Sequence, residues 1–467
     1  MRSKVSIIAA VGVIICLAIW HVVETVVASS RTKTFTEYYE PCEPGISLNF
    51  TDYTLPLDIN DIVNFDTFDK YIKMEYFSDL ICRNGFAVVE MEPNFVRFYS
   101  LPYDSFSDVD FIYIYDYFHL TGNVPAFITT DVGFYLYLSV SYHVFKDIEE
   151  RLFTPGSSNL TNALLNDALK KYGQLGTDPN FEYYQKRFKE LTAESSLSNR
   201  NEWNQNLYWS WLYCLDGLLQ ELPEGYPNFI RTQAWHRKNL NTALASCIEL
   251  RHDPVIQIKQ GDAHPPVFHL PVPPPGYIEP NPVFWGRLLS QVRILSRNLD
   301  ALDVLTNESH ISVLRNESRK RLGSLERLLE GFIEIVNKQL SNEELSPKER
   351  KFFESVPYEL LLIYMNLKGQ CIKTSGIADI YTNTQQKLLV EGAVGNIDLL
   401  IVACPTSDGK AFLAAGPIFS YYEFKHPMAD RLTDEAWFDI LFSENRPERP
   451  KWYMPLMVQK NNTEVRQ

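Results

Sequence analysis

The clearest hydrophobic pattern in the chain is an amphipathic helical one between residues 203 and 260. One face of a first helix is apolar at every third or fourth position, at Leu207, Trp211, Cys214, Leu215, Leu218 and Leu222. Pro223 and Gly225 end this helix, because proline and glycine interrupt helical structure. A second helix follows Thr232, a residue type that caps helices well, and buries Leu240, Leu244, Cys247 and Ile248. The pattern predicts a packed pair of helices.

The second helix also carries a polar stripe. Its members are three or four residues apart: Lys238, Thr242, Ser246, Glu249 and Asp253. Such a stripe is typical of a solvated helix face with carboxylates one turn apart. It also fits a site in which Glu249 and Asp253 share a cleft. In that site Arg251 would bind an anion and His252 would carry a proton near neutral pH.

The N-terminal residues have a pattern of their own. Arg2 and Lys4 precede an uncharged, largely apolar run at residues 5–20. Positive charge at the front favours an N-terminus inside the cell and export of the rest of the chain. We expect residues 1–30 to be a retained single-pass membrane anchor, with the globular part outside the cytoplasm; the alternative is a cleaved leader and a secreted protein. Residues 31–58 are polar and are predicted to form a stalk.

Helical periodicity dominates the chain between residues 59 and 369. Short β-rich segments separated by turn residues occupy residues 370–445, and residues 446–467 form a charged tail. We therefore expect a mainly α fold, a helical bundle or an incomplete helical toroid, with a small C-terminal antiparallel β-sheet, which is α+β overall. Within the helical domain, residues 346–349 form a capping box, and Pro357 should kink or split the helix that begins there.

A Thr-Thr-Asp triplet at residues 129–131 comes after a short apolar strand that begins at Val124. Loops at strand ends often hold functional sites. The same residue types are also those that cap helices, and we favour a cap for the helix that continues from here.

The β-rich segment holds a second group of candidate site residues, namely Asp379, Tyr422, Glu423, Asp430 and Arg431. Exposed tyrosines beside carboxylates suit sugar stacking, and two carboxylates across a cleft can hydrolyse a glycoside. The alternative is an ordinary strand in which Tyr421 and Tyr422 alternate between the two faces. In that case Asp430 and Arg431 close a surface ion pair.

Charge and motifs exclude several function classes. The net charge of -14 disfavours attraction to nucleic acid, and no basic patch with interleaved aromatics is present. The chain has no serine nucleophile elbow, Walker loop, Rossmann glycine pattern or His-Glu-x-x-His helix. We expect no metal and no cofactor.

Cysteine usage fits an exported protein with few bridges. Besides Cys16 there are six cysteines, none in Cys-x-x-Cys spacing, which disfavours structural zinc. Cys214 and Cys247 lie on apolar helix faces, where a thiol packs as a small hydrophobe. One disulfide, between Cys42 and Cys82, is plausible.

Several long runs point to a known family. They are NGFAVVE, VPAFITTD, NLYWSWL, LPEGYPNFIRTQAW, NTALASCIELRHD, GYIEPNPVFWGRL and GPIFSYYEFKHPMADRLTDEAW. Together they resemble the uncharacterised domain-of-unknown-function family numbered 3160, over most of the chain beyond residue 40. The name of that family states that its function is unknown.

The chain departs from the pattern of this family in two respects. Longer relatives have a large helical region between the Thr-Thr-Asp triplet and the helix at Leu207, and that region is shortened here. Tyr135 and Leu138 stand where family members carry histidines, and residues 379–383 stand in place of an Asp-Val-His-Thr-Asp pattern. The resemblance implies that a metal or proton role of those positions is lost.

Three functions fit these observations. The first, which we favour, is an exported, membrane-anchored binding or scaffold module of the cell envelope, holding a glycan or a protein in an aromatic cleft. The second is a glycan-active hydrolase that uses paired carboxylates. The third is a degenerate, non-catalytic relative of such an enzyme. Whether the protein is an enzyme stays open.

Overall fold

The computed structural model describes residue 48 and residues 52–69, 77–91, 124–145, 207–252, 276–301, 312–365 and 376–458. The predicted anchor at residues 1–30 and most of the predicted stalk lie outside these ranges, as do Cys42 and Asp253.

The described helices follow the apolar periodicity of the sequence. Helices α1 to α9 span Phe65–Asp69, Phe77–Asn84, Thr130–Phe145, Leu207–Leu219, Gln233–His252, Pro282–Ala301, Ser312–Ser341, Pro347–Met365 and Asp434–Leu441. The predicted helix pair is α4 and α5, which pack on each other. Helix α8 begins at the predicted capping box, in which the Ser346 backbone N–H donates to Glu349 Oε2 at 2.6 Å. It continues through Pro357, so of the two predicted effects of this proline the split is wrong and the kink stays a prediction.

The strands form more than the single C-terminal sheet that we predicted. Strands β1 to β8 span Phe86–Glu90, Phe127–Ile128, Tyr277–Ile278, Ile377–Asn383, Leu388–Val394, Asp398–Pro405, Ala411–Ile418 and Tyr421–Pro427. One three-stranded antiparallel sheet has the order β1-β6-β7 and another has the order β4-β5-β8, while β2 and β3 pair in parallel. The α+β class is confirmed, but the sheet order β1-β6-β7 ties a strand of the predicted helical domain to the C-terminal segment.

Helices and sheets share one large core. Helix α6 packs on α4 and α7, α7 on α8 and α3, and α5 covers the β4-β5-β8 sheet. The core contains Trp211, Trp235 and Trp285, which are fully buried. A smaller second core lies between the β4-β5-β8 sheet and α9. Helix α5 is therefore enclosed by α4, α3 and a sheet, and this position determines whether its polar stripe is exposed to solvent.

The end of the predicted stalk packs against the body. The Tyr53 hydroxyl donates to the Ala403 carbonyl at 2.6 Å, and Asp52 accepts the backbone N–H of Asn228 at 2.6 Å. Burial raises the pKa of Asp52 to about 6, although the backbone N–H groups of Asn228 and Tyr53 donate to its carboxylate and favour the charged form. The joint between the N-terminal segment and the body is therefore fixed by one buried and one partly buried hydrogen bond.

Two sequence predictions concern features that the described residues test only in part. No helix within the described ranges is long and apolar enough to cross a membrane, and the predicted anchor lies outside those ranges. No disulfide joins the described cysteines: Cys82 is half-buried, and Cys214, Cys247 and Cys404 are buried. The Cys42–Cys82 bridge stays a prediction, because Cys42 lies outside the described residues.

Candidate functional site

Three charged side chains from distant parts of the chain meet in the core. Asp131 lies in the first turn of α3, Lys238 on α5, and Glu279 directly after β3. Lys238 Nζ lies 2.8 Å from Glu279 Oε2 and 3.2 Å from Asp131 Oδ2. The three side chains are 0% or 1% exposed to solvent. We call Asp131, Lys238 and Glu279 the core ion cluster.

Uncharged donors complete the core ion cluster. Thr130 donates both its backbone N–H and its hydroxyl to Glu279 Oε2, at 2.8 and 3.0 Å. The Thr242 hydroxyl donates to Asp131 Oδ2 at 2.9 Å, and the Phe419 backbone N–H donates to Asp131 Oδ1 at 3.0 Å. Each carboxylate thus accepts hydrogen bonds from at least one neighbour besides the lysine, which offsets part of the cost of burying its charge.

The local sequence places these groups by capping and by strand pairing. Thr129 Oγ1 accepts the Val132 N–H at 3.3 Å, so the predicted cap of this helix is confirmed. The same hydroxyl donates to the Pro417 carbonyl at 2.7 Å, which joins the cap to β7. Pairing of β2 with β3 brings Glu279 beside the start of α3. The triplet is both a helix cap and the anchor of a buried charge.

A glycine allows this close approach. An added Cβ on Gly416 would collide with the carbonyl oxygen of Phe127, so β7 can cross β2 at this distance only without a side chain. Gly276 has a similar position, because its Cβ would collide with the Ala126 carbonyl. The two glycines belong to runs by which the sequence resembles its family.

The electrostatics of the core ion cluster are unbalanced. Burial raises the pKa of Asp131, and the nearby Glu279 raises it further, while Lys238 opposes both effects. The two carboxylates hold the pKa of Lys238 above its usual value in spite of complete burial. One cation therefore serves two carboxylates, and its loss would leave both charges uncompensated.

Aromatic groups enclose the same region. Lys238 Nζ lies 5.1 Å from the centre of the Trp235 ring, and the Trp285 indole N–H donates to the Glu279 carbonyl at 2.8 Å. With exposures of 0% to 1%, the charged atoms have no contact with solvent from which a substrate could approach. In this conformation the cluster can fix elements relative to one another, but it cannot reach a ligand in solution.

The polar stripe of α5 is therefore not a solvated face. Lys238, Thr242, Ser246 and Glu249 are all buried, so the solvated-face interpretation is wrong for these four residues. Arg251 and His252 end α5, and only their backbone is described. Asp253 lies outside the described residues. The part of the site hypothesis that rests on Arg251, His252 and Asp253 therefore stays a prediction.

A second group of charges lies on the β4-β5-β8 sheet. Asp379 on β4 is directly opposite Glu391 on β5. Arg431 Nη1 contacts Asp379 Oδ2 at 2.7 Å. Burial raises the pKa of Glu391 to about 7, and the negative charge of Asp379 adds to the effect. We call Asp379 and Glu391 the sheet carboxyl pair, and Arg431 is its arginine.

The other predicted site residues of this sheet lie apart from that pair. Tyr422 is buried, with the Arg449 guanidinium 4.3 Å from its ring centre, so it cannot stack on a sugar in this conformation. Glu423 accepts the Tyr421 hydroxyl at 3.1 Å. Asp430 lies 3.6 Å from His426 rather than on Arg431. The candidates of the β-rich segment are thus divided among separate contacts.

Sequence reasoning missed Glu279, Glu391 and the role of Lys238. Glu279 stands between an apolar strand and an Asn-Pro pair that starts a helix, and its neighbours in the sequence do not indicate that it faces solvent. A charged residue in such an apolar setting is a usable signal for a buried ion pair. Within the described residues, no group of three His, Cys, Asp or Glu side chains has the arrangement of a metal site.

Comparisons with known proteins agree with the sequence resemblance. The model of the family described as "Protein of unknown function (DUF3160)" matches residues 76–181 and 174–453, which together exceed half of the chain. No curated protein and no solved structure matches the chain. The two matched segments overlap at residues 174–181. This overlap lies in the stretch between α3 and α4 where the resemblance implies a shortened region.

Proposed function

The chain belongs to the DUF3160 family, and we propose that it serves as a non-catalytic binding or scaffold module of the cell envelope. Residues 1–30 would anchor it in the membrane, with the body outside the cytoplasm. A glycan of the envelope is the partner that we propose to test first. A degenerate relative of an enzyme would have the same properties.

One observation supports this proposal above the others. Residues from four of the runs that resemble the family meet at the core ion cluster: Asp131, Thr242, Glu279 and Phe419. Catalytic groups must reach a substrate, whereas these charges are fully enclosed. The polar residues that lie in these runs therefore hold helices and sheets together, as a scaffold requires.

A binding surface needs exposed groups, and the C-terminal end of α9 with the residue after it provides some. Phe438 and Phe442 have ring centres 4.6 Å apart, and Phe442 is 42% exposed. Exposed aromatic rings are common anchors in binding surfaces. We place the aromatic contact with the partner here rather than at Tyr422, which is buried.

The hydrolase alternative has one specific observation in its favour. A carboxyl group with a pKa of about 7 beside a second carboxylate is the arrangement that acid–base catalysis uses. Against it, Glu391 is 1% exposed and Asp379 is engaged by Arg431. The two functions differ in whether glycosidic bonds are cut.

The test uses the full-length chain, purified in detergent, on an array of envelope polysaccharides, with release of reducing ends measured on the same ligands. Our proposal predicts retention without release. Phe442→Ser should weaken retention, while Val63→Ser, at a residue 62% exposed and far from α9 in sequence, should not. Release that disappears in Glu391→Gln would establish the hydrolase instead. Absence of retention across the array would exclude a glycan partner.

A further inference from the structure

Helix α9 is attached to the body through a core of its own. This second core contains Ile377, Ala393, Tyr422, Trp437 and Leu441. The Trp437 ring lies 5.2 Å from Tyr422 and 5.5 Å from Phe424, and its indole N–H donates to the Val394 carbonyl at 2.8 Å. This core is small and separate from the main one, which is the packing expected of a segment that opens locally.

Charged contacts hold the loop that precedes α9, at residues 428–433. Arg431 contacts Asp379, and the Leu432 backbone N–H donates to Glu391. At the start of α9, Asp434 accepts the Ile377 N–H at 3.4 Å. Thus the loop touches both members of the carboxyl pair, and any change in their charge acts directly on it.

We propose that residues 428–441 form a proton-controlled latch, closed while Asp379 and Glu391 share a proton and loosened when both are ionised. With the proton present, Glu391 can hydrogen-bond Asp379 across the strand pair, and Arg431 neutralises the remaining charge. Without it, two adjacent carboxylates face one exposed arginine. Their repulsion then weakens the sheet beneath α9.

The direction of the pH effect follows from the raised pKa of Glu391, about 7 against an ordinary 4.5. A carboxyl group whose pKa is raised in the closed form stabilises that form fully below its ordinary pKa. That contribution is lost as the pH rises through the raised value. The latch is therefore tightest below about pH 4.5 and loosens progressively as the pH rises through about 7.

Other charges around Glu391 have to be considered. Asp379 acts from β4, Arg431 and Asp430 from the loop, His426 from β8 and Asp434 from α9, while α5 on the other face of the sheet carries the buried Glu249. His426 lies 3.6 Å from Asp430, and protonation would strengthen that contact in the same direction. A variant at His426 is needed to separate the two effects.

Hydrogen exchange of the full-length chain, corrected for intrinsic rates, measures latch opening locally. A global unfolding curve would not, because the pKa values of Asp52 and Asp398 are also raised, to about 6 and about 7. Between about pH 5 and pH 7 the opening constant of residues 434–441 should rise at least about tenfold. Residues 411–418, in the fully packed β7, serve as the internal control.

Glu391→Gln imitates the protonated side chain, so its opening constant should stay at the low-pH level throughout. Asp379→Asn, at a half-exposed position, removes the repulsion but not the burial of Glu391, so it should reduce the pH dependence without abolishing it, even if Glu391→Gln folds poorly. His426→Gln should retain the dependence. The proposal is overturned if the natural chain shows no dependence, if Asp379→Asn leaves the dependence undiminished, or if only His426→Gln removes it.

Discussion

Two groups of identical charge composition lie in this protein in opposite surroundings. The core ion cluster and the sheet carboxyl pair with its arginine each contain two carboxyl groups and one cation. In the core the cation, Lys238, is 0% exposed, whereas Arg431 at the sheet is 56% exposed. The same set of charges therefore has different tasks, and the difference is one of solvation.

In the core, water cannot screen the carboxylates, so the lysine and the hydrogen-bond donors must do so. At the sheet, burial of Glu391 and the nearby charge of Asp379 favour a bound proton, while water weakens the opposing attraction of the exposed arginine. Buried carboxylates whose cation is buried with them thus form fixed structural contacts, while a buried carboxyl group whose nearby cation is exposed becomes sensitive to pH. Substitutions of matched type in the two regions test this contrast.

The largest effect is expected for Lys238→Met, which keeps much of the side-chain volume and removes the cation. Two buried carboxylates would remain without compensation, so the free energy of unfolding should fall by about 3–5 kcal/mol. The loss should shrink at acidic pH, because the carboxylates can then take up protons. Urea denaturation followed by circular dichroism measures both effects.

The control for Lys238→Met is Lys348→Met, at an exposed position of α8, which should change the free energy of unfolding by less than about 0.5 kcal/mol. Equal losses in the two variants would show that Lys238 has no special role.

Gly416→Ala should have the next largest effect. Its new methyl group would collide with the Phe127 carbonyl, which forces β7 away from β2 and costs about 3 kcal/mol. Gly323→Ala on α7 is the matched control, because nothing lies within 4 Å of its Cβ. Since alanine favours helix, that variant should gain about 0.5–1 kcal/mol. Thermal denaturation distinguishes the two, and a stable Gly416→Ala would refute the close crossing.

Glu279→Gln should cost much less than the loss of Lys238, about 1 kcal/mol. The amide oxygen can still accept from Thr130 and Lys238, and the cluster then holds one carboxylate and one cation. If Glu279→Gln lowers the free energy of unfolding in urea as much as Lys238→Met does, uncompensated negative charge is not the reason why the loss of Lys238 is costly.

The smallest effect is expected at the sheet. Arg431→Met removes a cation as Lys238→Met does, but from a half-exposed ion pair, so the free energy of unfolding should change by less than about 1 kcal/mol. The comparison of these two variants by urea denaturation isolates solvation as the cause. If both cost the same, burial does not decide the role of the cation.

Much of the local structure was predictable from the sequence. Apolar spacing located α4 and α5, and the side-chain types of Thr129 and of the capping box at Ser346 located two helix starts. These features depend on neighbours within a few residues, which a single sequence displays directly.

The remaining features depend on partners far away in the sequence. The stripe of α5 has the pattern of a surface, and only contacts with Thr130 and Glu279, 108 and 41 residues away, make Lys238 a core residue. The pairing of β1 with β6 also joins segments that are far apart in the sequence. At the candidate site, Asp379, Asp430 and Arg431 were identified individually. Their division into different pairs follows from the register of β4 on β5, which the sequence does not display.

Our central claim is that Lys238 and the two carboxylates of the core ion cluster act as one structural unit. A double-mutant cycle of Lys238→Met and Glu279→Gln, measured by urea denaturation, tests that claim most directly. Because the lysine is costly to lose only while both carboxylates are charged, the double variant should be more stable than the sum of the single losses by at least about 1.5 kcal/mol. Losses that add within about 0.5 kcal/mol would contradict the claim.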